Sequence, residues 1–439
     1  MSGPVTMEMP EVRFGEAVRV WARVAALSFG GPAGQIAVMH RILVDEKKWI
    51  SENRFLHALN YCMLLPGPEA HQLSVYIGWL LNGTRGGLVA GGLFMLPGVL
   101  AILALSILYA LVGNTDVVSA IFLGLKAAVL AVVLQAVFRI GRRVLNGAFP
   151  AAIAALAFIG SAFFGLAFPL VVLIAGLAGA LAIRPEPAVL AAADGARRPA
   201  PSRSLGILAL GLTIWFLPLL VVLLFLGRDH VFMEIGLFFS QMAVVSFGGA
   251  YAVLSYVAQV AVDSYGWLTA GEMLDGLALA ETTPGPLILV VQFVAFMGAL
   301  RGGGPLDPMV AAVIGGLLAS WVTFVPSFLW IFLGAPYVEA LRGNRMLSGA
   351  LAGVTAAVVG VILNLAFWFA LRTWFAERRS LQGYGIEFDM PILSSLDPVA
   401  LALSLFAMMG LFLTRLGMLP VLGLAALASL LLHMAGVAG

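Results

Sequence analysis

Ser28-Phe29-Gly30-Gly31-Pro32 and, further on, Leu65-Pro66-Gly67-Pro68-Glu69 return as Ser246-Phe247-Gly248-Gly249-Ala250 and Thr283-Pro284-Gly285-Pro286-Leu287. Both returns lie 218 positions downstream, and between the motifs Asp45 and Trp49 match Asp263 and Trp267 at the same offset. One short Gly/Pro motif recurs easily by chance in a chain with 50 glycines and 22 prolines. Two motifs, an acid and a tryptophan in one ungapped register do not. Lys126-Ala127-Ala128-Val129 then faces Thr355-Ala356-Ala357-Val358, after an insertion near residues 301–307. The chain is read as a duplication, the first feature to look for in a repeat architecture.

Outward from the motifs the sequence is apolar. Of 439 residues 62% are hydrophobic and 10% charged, against roughly a quarter charged in soluble domains. Runs at 87–111, 117–138, 205–226, 309–333 and 346–371 each suffice to cross a hydrocarbon core of about 30 Å. The net charge of +2 is scattered between these runs and points to no nucleic acid. Cys62 is the single cysteine, so no disulfide framework or cysteine-rich metal site is available, and no cofactor is called for. The N-terminus, with Glu8 and Glu11 before Arg13, does not read as a secretory signal. The polar stretches 184–204 and 372–397 are linker-sized.

These features predict an all-α polytopic membrane protein with a first repeat at 12–183, a basic linker and connecting helix at 184–230, and a second repeat at 231–439. The unmatched apolar span 205–226 makes the second repeat run through the bilayer upside down if each repeat crosses an even number of times. The segments around Phe-Gly-Gly and Pro-Gly-Pro are too interrupted for plain spans: proline removes a backbone donor, and glycine ends helices. Such breaks survive at membrane depth only when buried in protein or lining a cavity. If all four motif segments cross, the chain has 13 crossings; if all four are re-entrant, it has 9. Re-entry moves Arg41, Lys47, Lys48 and Arg54 to the cytoplasmic side, which the positive-inside rule favours. Either way the expectation is a multi-pass protein of the cell (inner) membrane with a cytoplasmic N-terminus.

A broken helix exposes amides and a positive dipole end to an anion. Gly30, Gly31, Pro32, Pro66, Gly67, Pro68, Gly248, Gly249, Pro284, Gly285 and Pro286 therefore form the expected substrate site. Lys126 lies inside an apolar run, at a cost of roughly 2.5–3.5 kcal/mol, and either offers charge to the substrate, pairs with Glu69, or snorkels to an interface. Glu69 opens a half-helix, where the dipole favours a carboxylate. Glu281, three residues before Pro284, sits at the opposite, C-terminal end of a half-helix and is the expected proton-coupling carboxyl. Asp275, two turns earlier, is read as nearer the surface. His71 either titrates near neutral pH or is packed as a core residue. Arg139, Arg142 and Arg143 read as topogenic charges. Asn60, Tyr61, Gln72, Thr282, Thr283 and Gln292 surround the breaks, able to bind an oxyanion or to satisfy freed backbone groups.

Phe29-Gly30-Gly31-Pro32, Trp49, Leu65-Pro66-Gly67-Pro68-Glu69-Ala70, Gln72-Leu73, Tyr76-Ile77-Gly78 and Leu96-Pro97-Gly98 together resemble the chromate ion transporters in their two-domain form. Phe247-Gly248-Gly249-Ala250-Tyr251 and Thr283-Pro284-Gly285-Pro286 resemble that family's second domain. His71, where glutamine is expected, and Ala250, where the first half has proline, depart from the pattern. The resemblance covers about residues 14–371 and implies export of chromate, a tetrahedral dianion like sulfate, driven by protons through alternating access. The partners expected are thus the oxyanion, protons and lipid; a homodimer is left open. A passive anion channel and a carrier of sulfate or another tetrahedral oxyanion are the alternatives. An enzyme is disfavoured: the five histidines show no zinc-protease spacing, and no nucleophile elbow occurs.

Overall fold

The structure is a computed structural model that describes residues 11–29, 31–113, 115–183, 201–247, 250–335, 345–383, 386–414 and 416–437. Gly30, Gly248, Gly249 and residues 184–200 of the basic linker lie outside the described residues.

The first copy begins with α1 (Phe14–Leu27), α2 (Gly31–His40, continued by a π-turn at Arg41–Glu46), α3 (Glu52–Cys62) and α4 (Glu69–Val112). The second begins with α9 (Val231–Val245), α10 (Ala250–Gln259, continued by a π-turn at Val260–Ser264), α11 (Ala270–Thr282) and α12 (Val290–Gly302, entered through a 3-10 turn at Leu287–Leu289). The two sets agree in backbone detail. Lys48 and its mate Gly266 both take left-handed φ, 53° and 61°. The Trp49 N–H donates to Leu43 O and the Trp267 N–H to Ala261 O, each at 2.9 Å. Ser51 caps α3 by accepting from the Arg54 amide, and Thr269 caps α11 in a full capping box with Glu272.

The segments around the motifs are half-helices that turn back. The π-turn after α2 lies back along α1: Lys47 pairs with Glu16 near the start of α1 at 2.8 Å, and Glu46 with Arg23 further along it at 2.7 Å. α4 is broken at Asn82 and Gly83, φ −136° and 63°, and there Asn82 Nδ2 donates to Val12 O at 2.8 Å, again beside the start of α1. The first copy thus sends α1, α2, α3 and the opening limb of α4 in and out from one level, with both motifs at the inner tips. In the second copy Arg301 of α12 donates to Trp267 O at 2.8 Å and pairs with Glu272 at 2.6 Å, while Gly302 packs on Val231 at the start of α9. At 1.5 Å per residue a ten- or eleven-residue helix such as α2, α3 or α10 covers about 15 Å, half a bilayer.

The remaining helices complete the bundle. They are the second limb of α4, α5 (Asp116–Val144), α6 (Ala148–Phe163), α7 (Phe168–Ala182), α8 (Pro201–Phe225), α13 (Pro308–Gly334), α14 (Arg345–Trp374), α15 (Pro398–Leu413) and α16 (Met418–Met434). α6 and α7 precede α15 and α16 by 250 positions each, and α8 has no mate. Five helices, α4, α5, α8, α13 and α14, are long and apolar enough to span a membrane. Large apolar side chains such as Leu181, Leu205, Leu224, Phe225 and Leu413 face outward, an arrangement that water would penalise and lipid favours. From Asn82 to Tyr109 the second limb of α4 covers about 40 Å and ends against α11 of the second copy, where the Tyr109 hydroxyl donates to Asp275 Oδ2 at 2.8 Å. The stretch expected as a linker after Arg372 folds into an antiparallel hairpin, β1 (Arg378–Gly383) and β2 (Ile386–Pro391), the non-helical element among the described residues.

Candidate functional site

At the inner tips the two copies exchange hydrogen bonds. The Gly285 N–H donates to Ser28 O at 2.9 Å, and the Gly67 N–H donates to Ser246 O at 2.8 Å. Each Pro-Gly-Pro break is therefore joined to the Ser-Phe-Gly-Gly break of the other copy. Gly67 and Gly285 have φ of 124° and 101°, where a Cβ is strained. A proline-bearing stretch of a long helix backs each junction: Pro97-Gly98 of α4 lies behind Gly285, and Pro326-Ser327 of α13 lies behind Gly67. A Cβ on Gly285 would stand 3.0 Å from Gly98 Cα, and one on Gly67 would stand 3.0 Å from Ser327 Oγ. These pairs are themselves mates, since Pro97-Gly98 and Pro326-Ser327 lie 229 positions apart.

The junctions carry different donors. Gln35 of α2, fully buried, donates through Nε2 to Gly285 O. Gln72 of α4, also buried, donates to Pro66 O at 2.6 Å. Beside the Gly67 junction a cavity of about 10 Å³ is lined by Gly67, Ser246, Val253, Ile288 and Thr323 among others, room for about one water. The amides of Gly67 and Gly285, expected as exposed donors, are already satisfied across the copies. What remains for an anion are the first-turn N–H groups of α2, α4, α10 and the turn at Leu287–Leu289, which lack intrahelical partners by geometry. Gly31 and Pro32 open α2, Pro68 immediately precedes α4, and Pro286 immediately precedes the turn at Leu287–Leu289.

Lys126 does not pair with Glu69. Its ammonium lies 3.1 Å from Asp275 Oδ1, so that the basic residue comes from one copy and the acid from the other. Asp275, expected near the surface, is 4% exposed and also accepts from Tyr109. The helix start at Ala270 lies five residues before it, so the aspartate is carried inward to the level of Lys126 on α5. Glu281 is buried at the end of α11, accepts from the Tyr251 hydroxyl at 2.6 Å through Oε1, and has no partner on Oε2 among the described residues. Glu69 is half-buried at the start of α4. His71 is fully buried, packed edge-on against Phe324 and Phe328 of α13 with ring centres 5.0 Å away.

Among the polar residues flanking the breaks, Thr282 and Thr283 donate to carbonyls of their own helix, Leu279 O and Ala280 O. Gln292 bridges Val99 O and the Ser320 hydroxyl. Tyr61 reaches Trp330 O at 3.5 Å, and Asn60 is exposed. Sequence reading did not assign to the site Ser28 and Ser246 as carbonyl acceptors, nor Gln35, Tyr251, Gly98 and Ser327. A signal existed for three of them. Ser28 and Ser246 begin the repeated motif, and Gly98 follows a proline inside a span.

A model of the chromate transporter family matches residues 15–180 and 233–431. The chain is 35% identical over 363 residues to a chromate transport protein of Pseudomonas aeruginosa, covering 80% of each chain. It is 28% identical to a probable chromate transport protein of Synechococcus elongatus, covering 80% of this chain and 84% of that one. With a chromate transport protein of Cupriavidus metallidurans the identity is 26%, over 83% of this chain and 84% of the relative. No solved structure matches. The chain belongs to the chromate transporter family, and it is a membrane protein.

Proposed function

We propose, from membership of that family and from the paired junctions, that the chain exports a tetrahedral oxyanion, chromate foremost, by alternating access coupled to protons. The observation that carries this reading is the reciprocal pair of bonds, Gly67 N–H to Ser246 O and Gly285 N–H to Ser28 O. It brings four half-helix ends together, each a place for negative charge, in the manner of transporters whose broken helices meet at the midplane. The small cavity at the junction favours a carrier over an open pore, since an oxyanion enters only when the copies part.

The repeats at 12–183 and 231–439 are inverted in this reading, and 184–230 connects them. Support comes from α4, whose second limb links the outer end of the first copy at Asn82 to the α11 region of the second at Asp275. The first copy's outer end carries Arg13, Arg19, Arg41, Lys47, Lys48, Arg54 and Arg85; the other level has Arg228, Arg301, Arg372, Arg378 and Arg379. The positive-inside rule then puts the N-terminus and the first copy's outer end in the cytoplasm of a cell with an inner membrane. This arrangement has nine crossings and four re-entrant hairpins.

Glu281, with Tyr251 on one oxygen, is the proton carrier of this scheme, and Lys126–Asp275 ties the two copies nearly two turns away along α11. Inside-out vesicles with an imposed proton gradient test it. Chromate should accumulate against its gradient in the presence of excess sulfate, and Glu281→Gln should leave exchange of chromate for chromate while abolishing gradient-driven accumulation. Unchanged flux in Glu281→Gln would favour passive permeation, and loss of the flux to sulfate would return the substrate to another oxyanion.

A further inference from the structure

A cavity of about 560 Å³ lies away from the junctions, between the π-turn that ends α10, the end of α14, the α6–α7 turn and the β-hairpin. Tyr256, Gln259, Asp263, Asn364, Arg372 and Asp389 give it its polar wall. Arg372 is the centre of that wall. Its guanidinium lies 3.0 Å from Asp263 on the π-turn, 3.5 Å from Asp389 on β2, and 4.1 Å over the Trp368 ring. Its Nε has no partner among the described residues, nor has Nδ2 of Asn364, which is 2% exposed. A buried donor without an acceptor is costly to keep, and here two such donors lie two turns apart on one helix beside the same space.

The duplication relates this wall to the other copy. At an offset of 229 positions, Asn364, Trp368 and Arg372 of α14 take the places of Gln135, Arg139 and Arg143 of α5. Each copy thus ends its long helix with an amide and an arginine at matching positions. Arg143 is exposed, whereas Arg372 is enclosed beneath the hairpin with about a tenth of its side chain exposed. One half-helix joins the cavity to a junction. Gln259 closes the same half-helix that Ala250 opens at the junction, about 14 Å away along α10.

We propose that this cavity is a second, weak binding site for a tetrahedral oxyanion, occupied on the way out from the junctions, with Arg372 and Asn364 as its donors. The proposal rests on the export reading for its direction. Planar guanidinium donors suit a tetrahedral oxyanion, which they grip through two parallel bonds. Asp263 and Asp389 hold the same guanidinium, so an arriving anion competes with them and stays weakly bound. A site that passes an ion onward needs that weakness. Arg378, close enough to interact with Asp263, Arg372 and Asp389, balances the group at two cations and two carboxylates. Since Asp389 rides on β2, an anion that takes its place on Arg372 also frees the hairpin that covers the cavity.

Equilibrium binding of labelled chromate to the purified full chain in phospholipid-free micelles tests this. Wild type should bind two anions per chain with unequal affinity. Asp389→Asn should tighten the weaker site by about five- to tenfold, because one competing carboxylate is gone, and Arg372→Gln should abolish that site and leave the stronger one. Effects of opposite sign exclude a merely structural ion-pair cluster, for which both variants would weaken binding. One anion per chain, or an unchanged weak site in the well-exposed Asp389→Asn variant, overturns the proposal while the junction site stands. No binding at all overturns the export reading with it. A lipid headgroup phosphate shares the ligand chemistry. Phosphatidylglycerol added to the micelles should compete only partially if chromate is the natural occupant, whereas chromate binding that is absent until the Arg372 site is emptied of phosphatidylglycerol would assign it to lipid and overturn the transit role.

Discussion

At the Ser28–Gly285 junction Gln35 grips the glycine carbonyl and Gly98 presses on its Cα, whereas at the Ser246–Gly67 junction Val253 stands in the place of Gln35 and Ser327 in that of Gly98. The helices leaving the two breaks differ as much. The first copy carries Glu69, His71 and Gln72 where the second carries Leu287, Leu289 and Val290. Before the breaks the pattern is reversed, with Met63 and Leu65 in the first copy against Glu281 and Thr283 in the second. The duplication has kept the backbone, including paired left-handed turns at Lys48 and Gly266, and let the side chains diverge. A shared backbone suits a task both copies perform, holding the anion between half-helix ends. Diverged side chains suit tasks that need be done once, such as carrying a proton.

That contrast can be strained at each junction. The largest effect is expected for Gly285→Val. It forces a β-branched residue to a φ of 101° and against the Gly98 backbone, where left-handed strain alone costs about 1–3 kcal/mol. Transport should vanish with protein still in the membrane, or the fold should fail outright; both are read from uptake normalised to membrane-inserted protein. Gly67→Val meets only the ends of Gln72 and Ser327, which can yield, so its uptake should fall less. Equal losses would erase the claimed difference between backbone-backed and side-chain-backed junctions.

Next in size is the tie between copies. Lys126→Met leaves Asp275 buried without its cation, an imbalance worth about 3–5 kcal/mol, and should lower the unfolding temperature in detergent. Lys126→Met with Asp275→Asn should recover most of that loss. No recovery would mean that Lys126 acts on something other than Asp275. The smallest change is Gln35→Leu, which makes the first junction resemble the second. Loss of one buried hydrogen bond costs about 1–2 kcal/mol, so the unfolding temperature in detergent should fall by a few degrees. No change would demote Gln35 to packing.

Much of this was legible before the structure. The 218-residue register, the extra helix α8 and the breaks at Pro-Gly-Pro follow from residue types whose backbone preferences are strong, and they gave the duplication and the half-helices directly. The placement of Arg41, Lys47, Lys48 and Arg54 favours the nine-crossing form with hairpins that we propose. What sequence could not deliver was partnership. For Lys126 the sequence leaves open a charge for the substrate, a pair with Glu69 or an interface, yet its acid is Asp275, 149 positions on and in the other copy. Nothing local in Ala270–Thr282 reveals that α11 packs against α5. The exchange of carbonyl and amide between the copies is likewise a product of their docking, and Ser28 gives no sign of it beyond opening a repeated motif.

The claim on which the rest depends is that the two copies meet tip to tip from opposite faces. In a Cys62→Ala background, single cysteines at Arg54 and at Tyr265, which lie at the outer ends of the first and second copies and are both exposed, can be probed with a membrane-impermeant thiol reagent. Labelling of the Arg54→Cys variant is expected only in inside-out vesicles, and of the Tyr265→Cys variant only in intact cells. Labelling of both from the same side would contradict the inverted arrangement, and with it the alternating access built on the paired junctions.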